Sequence, residues 1–134
     1  MSISKQPFGK LPNTSLVDLF TLTNKQGMQV KITNNVGIVT SIQVHDKNGV
    51  LGEVNLGFDN ITDYLQKEQP YFGAIIGRFG NRIANGQFTI DNTTYTLATN
   101  DTPNHLHGGN KGFDKAVWTA KMLEKGGFPS LILA

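Results

Sequence analysis

Met28, Val30 and Ile32 alternate with Gln29, Lys31 and Thr33, and a period of two predicts a half-buried strand. Before it, Val17 to Thr23 is apolar enough for a first strand. Asn24-Lys25-Gln26-Gly27 lies between them and has the residues of a turn. Asn34-Asn35 marks a second turn, and Gly37 to His45 predicts a third strand with Ile38, Ile42 and Val44 as its apolar positions. Asp46-Lys47-Asn48-Gly49 closes that strand, with Asn-Gly as a hairpin cue. The first fifty residues therefore predict an antiparallel meander. Residues 1–15 are polar, contain two prolines and predict a loose lead-in.

Further on, Glu53 to Phe58 predicts a short strand. Asp59 or Asn60 can cap a helix, and Ile61, Tyr64 and Leu65 fall at helical spacing. One short helix is expected near 60–68, ended by Pro70. Ala74-Ile75-Ile76 is a small apolar segment between glycines. Gln87 to Ile90 and Tyr95 to Ala98 flank Asp91-Asn92-Thr93-Thr94 as a hairpin. Ala116 to Leu123 alternates weakly as a strand, and Ser130 to Ala134 begins another. The pattern predicts an all-β, mainly antiparallel protein with one helix. Leu131 to Ala134 are all apolar, so the last strand is expected to stop unfinished, with an unpaired edge that promotes association.

A length of 134 residues suits one domain. The 15 glycines fit a turn-rich β protein. The net charge of +2 comes from scattered residues without a basic run, which argues against nucleic-acid binding. There is no cysteine, so neither a disulfide framework nor a thiolate metal site is expected. No apolar run approaches membrane-spanning length, and the first residues lack the apolar core of a signal peptide. The expectation is a soluble, cytoplasmic protein with no membrane partner. Without a secretion signal, the Asn-x-Ser/Thr sequons at Asn13, Asn60, Asn92 and Asn100 are read as chance.

The chemistry concentrates between Tyr71 and Trp118. His105 and His107 lie two apart and would share a strand face, so both could reach one metal. A third ligand would have to come from His45, Asp101 or Asp114, and the spacing selects none. No metal is expected, and one histidine is expected to be structural, bonded to a loop. Arg82 sits beside Asn81, which joins a fork of donors to an amide that both donates and accepts. That pairing suits sugar hydroxyls and ring oxygens. Arg78 is the other arginine of this stretch, and no phosphate loop is present. Trp118, Phe72, Phe79, Phe88 and Phe113 are read as core.

Three motifs carry a resemblance. They are Gly77-Arg-Phe-Gly-Asn-Arg-Ile-Ala-Asn-Gly, Pro103-Asn-His-Leu-His-Gly-Gly, and Gly112-Phe-Asp-Lys-Ala-Val-Trp. In this order and spacing the chain resembles the aldose 1-epimerase (galactose mutarotase) family. The resemblance implies a β-sandwich of the galactose-mutarotase type, incomplete here, with residues 1–134 as the N-terminal part of a single truncated domain. It implies an isomerase of carbohydrate metabolism that interconverts the α and β anomers of hexoses such as galactose and glucose, without cofactor or metal. Residue by residue, it makes Asn81 and Arg82 substrate-binding groups and His107 an active-site residue that binds or orients the sugar. No role passes to His105. The family's general acid, a second His in a Thr-Asn-His signature, and its general base, a Glu, belong to later segments and have no counterpart here. A non-catalytic sugar-binding domain is the alternative.

Overall fold

The computed structural model describes residues 1–67 and 70–134. The chain forms two compact units, one of residues 1–74 with 117–134 and one of residues 75–116. Each paired set of strands in either unit is antiparallel.

The first unit is built on a five-stranded sheet in sequential order. Its strands are β1 (Ser2–Lys10), β2 (Leu16–Thr23), β3 (Gln29–Thr33), β4 (Val39–His45) and β5 (Leu51–Glu53). The expected meander is β2 to β4. At its first turn Asn24 Oδ1 accepts from the amides of Gln26 and Met28, both at 2.9 Å. At its last turn Asp46 Oδ1 accepts from Asn48 and Val50 at 2.8 and 2.9 Å. These short polar side chains stand in for backbone partners where the ladder reverses.

Two expectations need correction within this sheet. The lead-in is a strand, since β1 pairs with β2 from Ser2↔Thr23 to Lys10↔Leu16. It is an edge strand, which needs only one partner and tolerates polar residues, and its register shifts between Pro7 and Gly9. The strand expected over 53–58 ends at Glu53. The Val54 amide makes one more backbone bond, to the Ile42 carbonyl at 2.9 Å, and the Glu53 carboxylate takes over as acceptor for the amides of Ile42 (2.8 Å) and Asn55 (3.0 Å) and for Ser41 Oγ (2.5 Å).

Burial, the largest single influence on Glu53, would raise its pKa. The hydrogen bonds from Ser41, Ile42 and Asn55 together outweigh it and hold the carboxyl below its ordinary 4.5. A depressed folded-state value means that the unfolded chain binds the proton more readily. The stability from Glu53 is therefore complete above pH 4.5 and is lost as pH falls through the lower folded value. Glu53→Gln should lower Tm at neutral pH, and the gap to the unaltered chain should shrink as pH drops below 4.5. A gap that stays constant across a pH series of thermal melts would contradict this.

The helix α1 spans Ile61–Tyr64, with Asn60 Oδ1 accepting from the Asp63 amide at 3.0 Å. It is shorter than the expected 60–68, and residue 68 lies outside the described residues. Ile61 and Tyr64 join Val17, Val36 and Ile38 in the core, with Phe8, Leu11, Phe58 and Ala74 packed around them. The Tyr64 hydroxyl accepts from the Phe58 amide at 2.7 Å, and the two rings meet edge to face.

The last two strands of this unit, here labelled β10 (Ala120–Lys125) and β11 (Phe128–Leu133), form a hairpin paired from Ala120↔Leu133 to Lys125↔Phe128. The strand expected over 116–123 thus starts later. The terminal strand pairs with β10 along its whole length, and in this two-stranded sheet its other edge has no strand partner among the described residues.

In the second unit β6 (Arg82–Ile83) pairs with β9 (His105–Leu106), and β7 (Gln87–Ile90) with β8 (Thr93–Thr96). The β7–β8 turn is only Asp91-Asn92, both left-handed at φ 49° and 60°, as a two-residue hairpin turn requires. Phe88 stacks on its cross-strand partner Tyr95 with ring centres 5.2 Å apart.

Candidate functional site

The three glycine-rich motifs meet within the second unit. The Gly77 carbonyl accepts from the Phe113 amide at 3.1 Å. The Asn81 amide donates to His107 Nδ1 at 2.9 Å, and the His107 amide donates back to the Asn81 carbonyl at 3.1 Å. Asn81 and His107 are both left-handed, at φ 65° and 52°, so both turns are tight at the point where they join.

This reciprocal pair decides the state of the imidazole. A nitrogen that accepts from an amide carries no proton, so the His107 ring is neutral with its proton on Nε2. His105 is the opposite at Nδ1. Its Nδ1 faces the Ala98 carbonyl at 2.9 Å, and a carbonyl oxygen only accepts, so Nδ1 carries a proton. His105 is also buried, at 6% exposure. It is the histidine that bonds to a loop, and it anchors the Leu97–Thr99 stretch.

Arg82 pairs across β6–β9 with Leu106. Its Nε donates to Asp101 Oδ2 at 2.6 Å. Among the described residues its terminal Nη groups have no protein partner, so Asp101 holds the guanidinium from behind and leaves two N–H-bearing nitrogens facing away. At roughly half exposure on the arginine side, this pair serves orientation more than stability. Asp101 was open to reading only as a metal ligand. Nothing in a separation of 19 residues announces its pairing with Arg82. Asn100 and Asn104 were missed for the same reason. Asn100 bonds both the amide and the carbonyl of Leu106, at 2.9 and 3.0 Å. Asn104 Oδ1 accepts from the Asn85 amide at 3.3 Å. Asn side chains at turns are the only sequence signal for either.

Close backbone packing makes the junction possible. A Cβ on Gly108 would lie 1.9 Å from the Gly77 carbonyl oxygen and 2.9 Å from the Gly112 Cα. One glycine from each motif thus touches the other two regions. Arg78 lies over the Phe113 ring at 5.6 Å, beside this junction.

A cavity of about 800 Å³ opens in this unit, walled by Arg82, His105, Phe88, Leu97 and Phe113 among others. Asn81 and His107 are not part of its wall. The structure therefore joins Asn81 to His107 directly, and Arg82 is next in sequence to Asn81 with its head tied to Asp101.

The other residues considered for metal binding are engaged elsewhere. Asp101 holds Arg82, Asp114 Oδ2 pairs with Lys115 Nζ at 2.6 Å, and His45 ends β4 in the other unit. Among the described residues no three His, Asp or Glu groups gather as a metal would need. Among them, too, no helix is long and apolar enough to cross a membrane.

The family profile described as aldose 1-epimerase matches residues 18–133. The galactose mutarotase of Bos taurus is 46% identical over 127 residues, which covers 94% of this chain and 36% of the relative. Among solved structures, galactose 1-epimerase from Lactobacillus acidophilus NCFM superposes with a TM-score of 0.76 at 27% identity, covering 93% of this chain and 35% of that one. An aldose epimerase homologue from C. elegans gives 0.70 at 29% identity, covering 81% and 33%. The chain thus spans about a third of the length of these relatives. With its antiparallel strands, its single described α-helix and its three interlocked motifs, this chain belongs to the aldose 1-epimerase family.

Proposed function

We propose that the chain supplies the sugar-binding part of an aldose 1-epimerase that interconverts the α and β anomers of hexoses such as galactose and glucose. The observation that carries the reading is the reciprocal hydrogen bonding of Asn81 and His107 at 2.9 and 3.1 Å. It fixes the His107 ring against Asn81, and Arg82 follows Asn81 in sequence with its guanidinium held by Asp101. Those groups offer donors and an acceptor to a polyhydroxylated ring.

Mutarotation opens a hemiacetal. A base takes the proton of the anomeric hydroxyl, an acid protonates the ring oxygen, and the ring recloses on either face. On this reading Asn81, Arg82 and His107 bind and orient the sugar, and His107 donates a hydrogen bond to a substrate oxygen. The proton-transfer pair, a His in a Thr-Asn-His signature and a Glu, is not among these 134 residues. The chain then needs both from additional segments, and each positioned partner contributes roughly 10²–10⁴-fold. The second reading is a sugar-binding module without catalysis.

Polarimetry on α-galactose separates the readings. The isolated chain should leave mutarotation at the buffer rate. A chimaera extended with the remaining segments of the bovine relative should accelerate it by orders of magnitude. An inactive but folded chimaera that still binds galactose would favour the binding module, and one that neither binds nor turns over would defeat both readings.

A further inference from the structure

The Leu19–Thr21 face of the five-stranded sheet is polar beyond the core. Thr21 pairs with Lys31, Lys31 with Ser41, and Gln43 with Glu53. A period of two places all of these on one face. A cavity of about 360 Å³ lies there, closed on one side by Asn55 to Asp59. That is within the roughly 300–1,000 Å³ of small-molecule sites.

Its walls are held rigidly. Ser41 is buried and its hydroxyl binds Glu53, whose carboxylate also accepts from two backbone amides. Asn55 Nδ2 donates to the carbonyls of Val39 (2.9 Å) and Leu56 (3.1 Å), so Asn55 Oδ1 remains an unspent acceptor. The Phe58 ring is fixed by its edge contact with Tyr64, ring centres 5.0 Å apart. Gln43 and Lys31 have no side-chain partner among the described residues.

We infer that this cavity is a second binding site, for a neutral polyhydroxylated molecule such as a monosaccharide. Its chemistry selects that class. An anion would meet the carboxylates of Glu53 and Asp59 against the single ammonium of Lys31. A metal cation would find Glu53 already accepting three hydrogen bonds, with Lys31 repelling it. What remains is an ammonium and an amide NH₂ as donors, the Asn55 and Gln43 oxygens as acceptors, and an aromatic face. Vicinal hydroxyls, each donating and accepting, fit that set, and the C–H face of a sugar packs on a ring. The inference stands apart from the Asn81–His107 site, which belongs to the other unit.

Amide-resolved NMR titration of the full chain with D-galactose tests it, beside sorbitol and calcium chloride. Saturable shifts are expected at the Ile42 and Asn55 amides and at the Gln43 side chain. They should persist in an Arg82→Ala/His107→Asn double variant. Gln43→Leu should weaken them by about tenfold, the worth of one or two hydrogen bonds. Lys31→Met serves the same purpose if Gln43→Leu fails to fold. Absent or non-saturating galactose shifts at these positions would overturn the inference. So would their loss in the double variant, or larger shifts with calcium than with galactose.

Discussion

In a chain completed with the later family segments, His107→Asn should leave the fold intact and slow galactose mutarotation by at least about 100-fold. Asparagine isolates the function of the ring from its structural duty. His107 accepts from the Asn81 amide through Nδ1, and an asparagine Oδ1 can take that bond. His107 is left-handed at φ 52°, a conformation asparagine adopts readily. What asparagine cannot supply is a ring nitrogen donor at the reach of Nε2. A misplaced donor costs orientation of the sugar, and orientation governs proton transfer. His107→Ala is the harsher variant, because it also strands the Asn81 amide. Stopped polarimetry gives kcat and KM, and a thermal melt reports the fold. Unchanged kcat in a folded His107→Asn protein would remove His107 from the mechanism.

Gly108→Ala should be the most damaging single methyl in the second unit. At φ +92° an alanine is strained by about 1–2 kcal/mol. Its Cβ would also lie 1.9 Å from the Gly77 carbonyl oxygen. The backbones of two motifs must then part, at a further cost of about 1–3 kcal/mol. The separation acts where the His107 turn meets Asn81, so activity should fall further than the lost stability explains. Gly49→Ala is the control. It too has positive φ, +80°, but nothing lies within 4 Å of its Cβ. It should cost only the backbone term. Denaturant melts of the two variants compare them directly, and equal losses would mean that the Gly77–Gly108 contact carries no structural weight.

The strands β2 to β4 were legible from the sequence because each carries closely spaced apolar and β-branched residues and ends in an Asn, Asp or Gly turn. The β7–β8 hairpin and the Asn60 helix cap were legible too, since their signals lie within a few residues of one another, although the hairpin turn has two residues and not four, so that β8 starts at Thr93 and not at Tyr95. The site was half legible. Glycine density and the resemblance carried by the three motifs picked out Asn81, Arg82 and His107. Strand β1 was hidden, because an edge strand with one partner need not alternate. The end of β5 was hidden too, since it depends on Glu53 reaching back to Ile42 across the sheet. Only the tertiary structure put a proton on Nδ1 of His105 and none on Nδ1 of His107, gave Asp101 to Arg82, and joined Asn81 to His107 across 26 residues. Periodicity and local propensity report which face a residue shows to the core. They hold nothing about which distant turn its polar atoms will meet, because that is set by how the backbones of separate glycine turns pack.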